Sequence, residues 1–476
     1  MDLYSSSNNM LFNSLEFLLL FLPIVLGIAL LLKGNRLTFW IVTMSSVFYA
    51  FAGHIWFLIP MFVSATMDFW TGKRIESSKS SSAKKFYLWL SIFCNLGLLA
   101  YFKYSGLILD SIHSIMVLFY LSHQQDVLLP ALRVILPAGI SFYTFQTISY
   151  VIDIYRGEGH AEKKYLTYFS FVSFFPHLVA GPLTRHNQLI PQIQKIASHG
   201  IHPLWRAGCF LFIAGLAKKV LIADRIAFWI DPIIQNIGEA GAFEAWIALL
   251  GYSFQIYFDF SGYSDMAIGL GRLFQIELPI NFNSPYKAIS PSDFWRRWHI
   301  TLSLWLRDYL YISLGGNQCS KERRKLNLMI TMLLGGLWHG ASWTFLCWGA
   351  YHGLLLLIYH QYKDFWDRQS RIVQAFSTFI LVTFGWVFFR AYTFEVASLW
   401  FRSLFFMNGL FSSTTWVNPY LLLVVATAAI ISSKLKNTSE IEWEGFSIRR
   451  CALLGAVGAL CILLMNYSSK FLYFQF

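Results

Sequence analysis

Runs of about twenty predominantly apolar residues recur along almost the whole chain, and that repetition restricts the fold more than any single motif. About twenty helical residues cross the hydrocarbon core of a bilayer, where there is no water to satisfy an open backbone. Candidate spans lie at 15–32, 37–53, 54–70, 86–106, 131–152, 207–230, 243–261, 326–338, 342–360, 373–390, 417–433 and 451–467. Several are short or interrupted by polar side chains, so roughly ten to twelve true crossings are expected. Charged residues make up 13% of the chain, whereas soluble domains carry about 25%, which excludes an ordinary soluble globule. The expected fold is all-α: a polytopic membrane protein with roughly 10–12 transmembrane helices, plus re-entrant or interfacial helices, around a central chamber. No low-complexity linker or internal repeat divides the chain, so one membrane domain over 1–476 is expected.

The net charge of +12 would suit a nucleic-acid partner if it were spread over one face, but it is not. Lys73, Arg74, Lys79, Lys84 and Lys85 fall in one short loop, and Lys321, Arg323, Arg324 and Lys325 in another. Basic loops between apolar spans mark the cytoplasmic side, so the excess reads as topology and no nucleic acid is expected. Lys33 and Arg36 follow the first span and Asp2 and Glu16 precede it, which places the N-terminus outside by the same rule. That first span lacks a basic start and a small-residue cleavage site, so it is expected to be retained rather than removed as a signal peptide. Cys94, Cys209, Cys319, Cys347, Cys451 and Cys461 are scattered without a metal spacing and read as small core residues.

Against this apolar background the stretch Gly335-Gly336-Leu337-Trp338-His339-Gly340-Ala341-Ser342-Trp343 sets one histidine between glycines and tryptophans. An ionisable group at membrane depth is costly and usually faces a cavity or a pathway, so His339 is a candidate functional site. Imidazole titrates near neutral pH, which suits it to take a proton from a reacting hydroxyl. The competing reading is a hydrogen-bonded core histidine, and His177, His352 and His360 are read as structural or interfacial. None of these residues has the spacing of a metal-binding HExxH motif, so no metal site is expected.

Two further segments stand out. From Phe254 to Asp265, and again from Phe169 to Leu183, aromatic runs are mixed with polar residues, and both are expected to be irregular chamber walls. In the first, Asp259 and Asp265 are either chamber carboxylates or hydrogen-bond partners in helix packing. The segment from Ser292 to Tyr309 has Asp293 at a helix start after Ser290-Pro291-Ser292. A single amphipathic or re-entrant helix is expected there, carrying His299 beside Trp295 and Trp298. Its Arg296 and Arg297 serve as lipid-facing anchors or as substrate clamps.

Taken in order, several motifs resemble the membrane-bound O-acyltransferase superfamily, in its bacterial alginate O-acetylation branch. They are Leu11-Phe12-Asn13-Ser14, Tyr257-Phe258-Asp259-Phe260-Ser261-Gly262-Tyr263-Ser264-Asp265, Asn281-Phe282-Asn283-Ser284-Pro285-Tyr286, Phe294 to Leu310 with His299, Leu337-Trp338-His339-Gly340 with Trp343, and the aromatic close at 471–476. The resemblance implies an enzyme of the bacterial inner membrane. In that branch His339 and His299 would be the catalytic histidines, with Trp338, Trp343, Asp259, Asp265, Arg296 and Arg297 as substrate-binding candidates. It further implies a cytoplasmic acyl thioester donor, such as acetyl-CoA, used as substrate rather than as a tightly bound cofactor. An extracytoplasmic acetyltransferase or esterase-like partner would then esterify a polysaccharide. A D-alanylation branch using a carrier-protein thioester is the alternative. A transporter or flippase would also explain polar groups at membrane depth, but it gives no reason for the Trp-His-Gly context.

Chemically, a hydroxyl attacks the thioester carbonyl while His339 accepts its proton, or His339 first takes the acyl group itself. Gly262-Tyr263-Ser264-Asp265-Met266 lacks the second glycine of a nucleophile elbow, so no serine esterase is built into the chain.

Overall fold

The computed structural model describes residues 10–118, 134–179, 181–412, 417–441 and 447–465, and these are helical with no strand among them. Asp2, residues 131–133 and 466–467 of two expected spans, Ala180 and the run 471–476 lie outside the described residues. Two helices are both long and apolar enough to cross a membrane, Ser81–Met116 and Arg371–Arg390; Phe17–Ala29 and Pro419–Lys434 are shorter apolar helices. Two of the roughly ten to twelve expected crossings are thus met by length and composition together. The longest helix, Ala242–Leu273, carries Glu244, Asp259 and Asp265, all buried within the protein, and these lower its mean hydropathy.

The described residues gather into two compact units, one of Met1–Pro203 with Phe274–Glu277, the other of Leu204–Leu273 with Leu278–Phe476. In the first, the helices Leu58–Ser77, Ser81–Leu99 and Ile140–Arg156 pack together around a fully buried carboxylate, Asp68. Ser91 Oγ donates to Asp68 Oδ1 at 2.6 Å and Asn95 Nδ2 donates to Oδ2 at 2.7 Å, while Asn95 Oδ1 accepts from Ser64 Oγ at 2.6 Å. Removing the carboxylate strands both donors where water cannot replace it. Asp68→Ala is therefore expected to destabilise the protein by about 1–3 kcal/mol per stranded donor. A thermal midpoint in detergent equal to that of the parent would contradict this.

The second unit is organised by the 32-residue helix Ala242–Leu273, almost wholly buried. The expectation of irregular backbone from Phe254 to Asp265 is corrected here, because the run is uninterrupted helix. Protein surrounds it on every side, so its aromatic and polar residues pack rather than break the ladder. The segment Phe169 to Leu183 does depart from a simple span: the helix Tyr165–Ser173 ends, one turn Phe175–Leu178 follows, and residues 181–185 belong to no helix.

A helical hairpin completes the frame for the site. Ser320 caps the helix Lys321–His339 by accepting from the Arg323 N–H, and Ser342 caps the returning helix Trp343–Gln361 by accepting from the Thr344 N–H. A methyl group at Gly336 would collide with the Phe345 carbonyl oxygen, and one at Gly349 with the Met332 carbonyl oxygen. The two helices therefore touch backbone to backbone, as small residues permit within membranes.

Candidate active site

His339 is the last residue of the helix Lys321–His339, and the chain turns extended at Gly340 immediately after it. The imidazole is buried in a cage of aromatic edges. Its ring centroid lies 5.0 Å from Trp338, 5.0 Å from Trp348 and 5.2 Å from Phe389, and 6.3 Å from the ring of His299. Trp348 comes from the return helix of the hairpin and Phe389 from the helix Arg371–Arg390, so three helices fix the ring.

His299 reaches the same place by a different route from the one expected. The segment 292–309 is not one helix: Pro291–Arg297 ends at Trp298, which is extended, and Ile300–Trp305 starts afresh. His299 between them has φ +42° and ψ 54°, a left-handed conformation that costs a side-chain-bearing residue energy and must be held from outside. Asn281 holds it. Its carbonyl oxygen Oδ1 accepts from Thr301 N–H at 3.3 Å and from Thr301 Oγ1 at 2.9 Å, and its backbone carbonyl accepts from Ile300 N–H at 2.9 Å. With Oδ1 committed as an acceptor, the 3.2 Å contact to His299 Nδ1 is a donation from the ring, which leaves Nε2 as the acceptor nitrogen of the neutral imidazole. The His299 ring is fully buried against Phe260, at 4.8 Å, and Trp338, at 5.8 Å.

A cavity of about 630 Å³ leads to His339. Along the helix Lys321–His339 it is lined by Lys321, Arg324, Lys325, Leu328, Thr331, Met332, Gly335 and His339, which recur every three or four residues and so form one continuous face. From first turn to last that face measures about 27 Å at 1.5 Å per residue. The return helix contributes Trp348 near His339 and Leu356, Leu357, His360 and Gln361 toward the other end, while Arg307 and Trp295 close the remaining sides. The shape is a long groove with exposed Lys321, Arg324 and Lys325 at one end, aliphatic walls along its length, and the histidine between tryptophans at the other.

Of the other sequence candidates, Trp338 adjoins the histidine pair and the rest sit elsewhere. Asp259 is bound to Lys219 at 2.7 Å, and Lys219 also holds Asp224 at 2.9 Å, all three buried. Asp265 takes Lys218 at 2.6 Å and accepts from Thr438 Oγ1 at 2.7 Å. Lys218 and Lys219 belong to the π-helical turn Lys218–Ala223, which packs against Ala242–Leu273. Both carboxylates are thus engaged in contacts between helical segments. Asp265 does border a smaller cavity of about 200 Å³ with Ser264, Arg272 and Asn281. Arg297 pairs with Asp293 at 2.9 Å one turn earlier, and Arg296 is exposed; neither lines the large cavity. Trp338 is buried between the two histidines, whereas Trp343 is 53% exposed.

Sequence reasoning singled out Arg307, with Arg296 and Arg297, for anionic groups or lipid head groups, but missed Lys321, Arg324 and Lys325 as cavity residues because it took that basic run for topology alone. The signal was present in their register with Leu328, Gly335 and His339.

Comparison with known proteins agrees with the motif order. Residues 162–398 match the membrane-bound O-acyltransferase family. The chain is 42% identical over 408 residues to a probable alginate O-acetylase of Azotobacter vinelandii, covering 83% of this chain and 78% of that one. It is 34% identical over 527 residues to a peptidoglycan O-acetyltransferase of Helicobacter pylori, covering 98% of each. Similarity to a teichoic acid D-alanyltransferase of Bacillus subtilis is lower, 27% over 297 residues, or 58% of this chain and 72% of that one.

Proposed function

Since the chain belongs to the membrane-bound O-acyltransferase family, and is therefore a membrane enzyme that moves acyl groups to hydroxyls, we propose that it takes an acetyl group from a cytoplasmic acyl thioester for O-acetylation of an exported or cell-surface polysaccharide. The observation that carries this reading is the long cavity with a basic end and His339 at its depth. Acetyl-CoA matches that polarity: phosphates at Lys321, Arg324, Lys325 and Arg307, a flexible arm along the aliphatic walls, and the thioester beside the imidazole. His339 acts as general base on the attacking hydroxyl, and His299, held in one tautomer by Asn281, orients the pair.

Acetyl is preferred over D-alanyl because the O-acetylating relatives match at higher identity and over more of the chain. The Ala242–Leu273 helix, about 48 Å long at 1.5 Å per residue, exceeds the bilayer core and is assigned as a further crossing of the inner membrane. Delivery to the glycan passes through an extracytoplasmic acetyltransferase or esterase-like partner, because the chain carries no nucleophile-elbow serine.

The direct test is ester content. Cells carrying His339→Ala at unchanged protein level are expected to lose acetyl esters from their surface glycan, and undiminished ester content would refute the proposal. The basic end has its own signature: reversing Lys321 and Arg324 together to Glu is expected to raise KM for acetyl-CoA by about tenfold, near 1.4 kcal/mol, with kcat retained at saturation. A KM equal to that of the parent at low salt would remove the phosphate assignment.

A further inference from the structure

Beside His339 the cavity wall contains two hydrogen-bond donors that the reading above does not use. Trp295 and Trp348 both line the cavity, their ring centroids 5.7 Å apart, and Trp348 stands edge-on to His339 at 5.0 Å with 1% of its surface exposed. The indole N–H of each is buried, and neither meets an acceptor among the described residues. Buried donors in folded proteins are nearly always satisfied, so two adjacent orphans on the wall of a substrate cavity point to a ligand acceptor that completes them. Indole nitrogen donates and cannot accept, so the ligand atom facing it must offer a lone pair, as a carbonyl oxygen does.

Resting on the acyl-thioester reading, we propose that the indole N–H of Trp348, aided by that of Trp295, donates to the thioester carbonyl oxygen and stabilises the oxyanion formed there. As the acceptor hydroxyl oxygen bonds to the carbonyl carbon, its proton passes to His339 and the carbonyl π pair moves onto oxygen, facing the indole donors. When the C–O double bond re-forms, the C–S bond breaks, and the departing thiolate takes the proton from His339. Charge develops on that oxygen only in transit, so a donor fixed in a dry aromatic cage acts on the rate more than on ground-state binding.

Trp348→Phe keeps the ring and deletes the donor. In the full-length protein in detergent it is expected to lower kcat for acetyl transfer by about 10²–10³-fold and to raise KM for acetyl-CoA by only about threefold, the share of the hydrogen bond already made to the uncharged carbonyl. Two probes separate this from a packing role: S-ethyl-CoA, which lacks the carbonyl, and the acetonyl-dethio analogue, which keeps the carbonyl and replaces sulfur with methylene. Only the carbonyl-bearing compound is expected to bind Trp348→Phe more weakly. Equal weakening of both, or a kcat within about threefold of the parent, overturns the proposal. Should Trp348→Phe fail to fold, Trp295→Phe carries the same comparison with the same two outcomes. A parent protein that binds neither compound overturns the donor reading itself, whereas parent binding left unaltered in both variants overturns only the role of the indoles.

Discussion

His339→Gln is expected to lower the acyl-transfer rate by about 10²–10⁴-fold while the protein still folds and still binds its donor. Glutamine fills much of the imidazole's space and keeps a hydrogen-bonding end, so the aromatic cage of Trp338, Trp348 and Phe389 has little reason to collapse. It cannot take a proton. Donor affinity is expected to persist because the basic end of the cavity lies about 27 Å along the helix from position 339. The split between rate and binding is the informative part: kcat and kcat/KM should fall together, as they do when an interaction made only in the transition state is lost. A variant retaining more than a tenth of the parent rate would show that some other group moves the proton. Trapped acetyl on His339 of the parent would favour the covalent route over general-base catalysis.

The second large effect concerns folding rather than chemistry. Lys219→Met is expected to destabilise the protein by about 3–5 kcal/mol, because Asp224 and Asp259 would lose the ammonium they share inside a region that excludes water. Lys219 Nζ lies 2.9 Å from one carboxylate and 2.7 Å from the other. Without it the two acids must either repel each other or take up protons. Methionine matches the length of the lysine stem, so the loss would reflect charge more than volume. Adding Asp224→Asn and Asp259→Asn to the same chain is expected to restore much of the lost thermal midpoint in detergent, since the amides need no counter-ion. No recovery in the triple variant would mean that the lysine acts through packing alone.

This triad shows where reading the chain in one dimension reached its limit. Asp259 was visible as an acid within an aromatic run, and its presence at membrane depth demanded a partner. That partner is 40 residues earlier in the chain, on a π-helical turn whose register no periodicity announces. The same holds for His299. The sequence around it has helical spacing, yet the chain breaks at Trp298 and is held in a left-handed turn by Asn281, eighteen residues upstream.

Membrane embedding, helical class, enzyme family and the candidacy of His339 were determined by the sequence itself. The physical reason is that a bilayer imposes its thickness and dryness on every segment locally, so apolar length and an out-of-place imidazole carry their meaning without knowledge of neighbours. Tertiary structure alone decided that Lys321, Arg324 and Lys325 share a cavity with His339, that Asp259 and Asp265 are consumed by lysines, and that His299 faces His339 across 6.3 Å. Those facts depend on which helix faces meet. That is set by close crossings such as Gly336 on Phe345 and Gly349 on Met332, contacts between residues whose chemistry in isolation says nothing about what lies opposite.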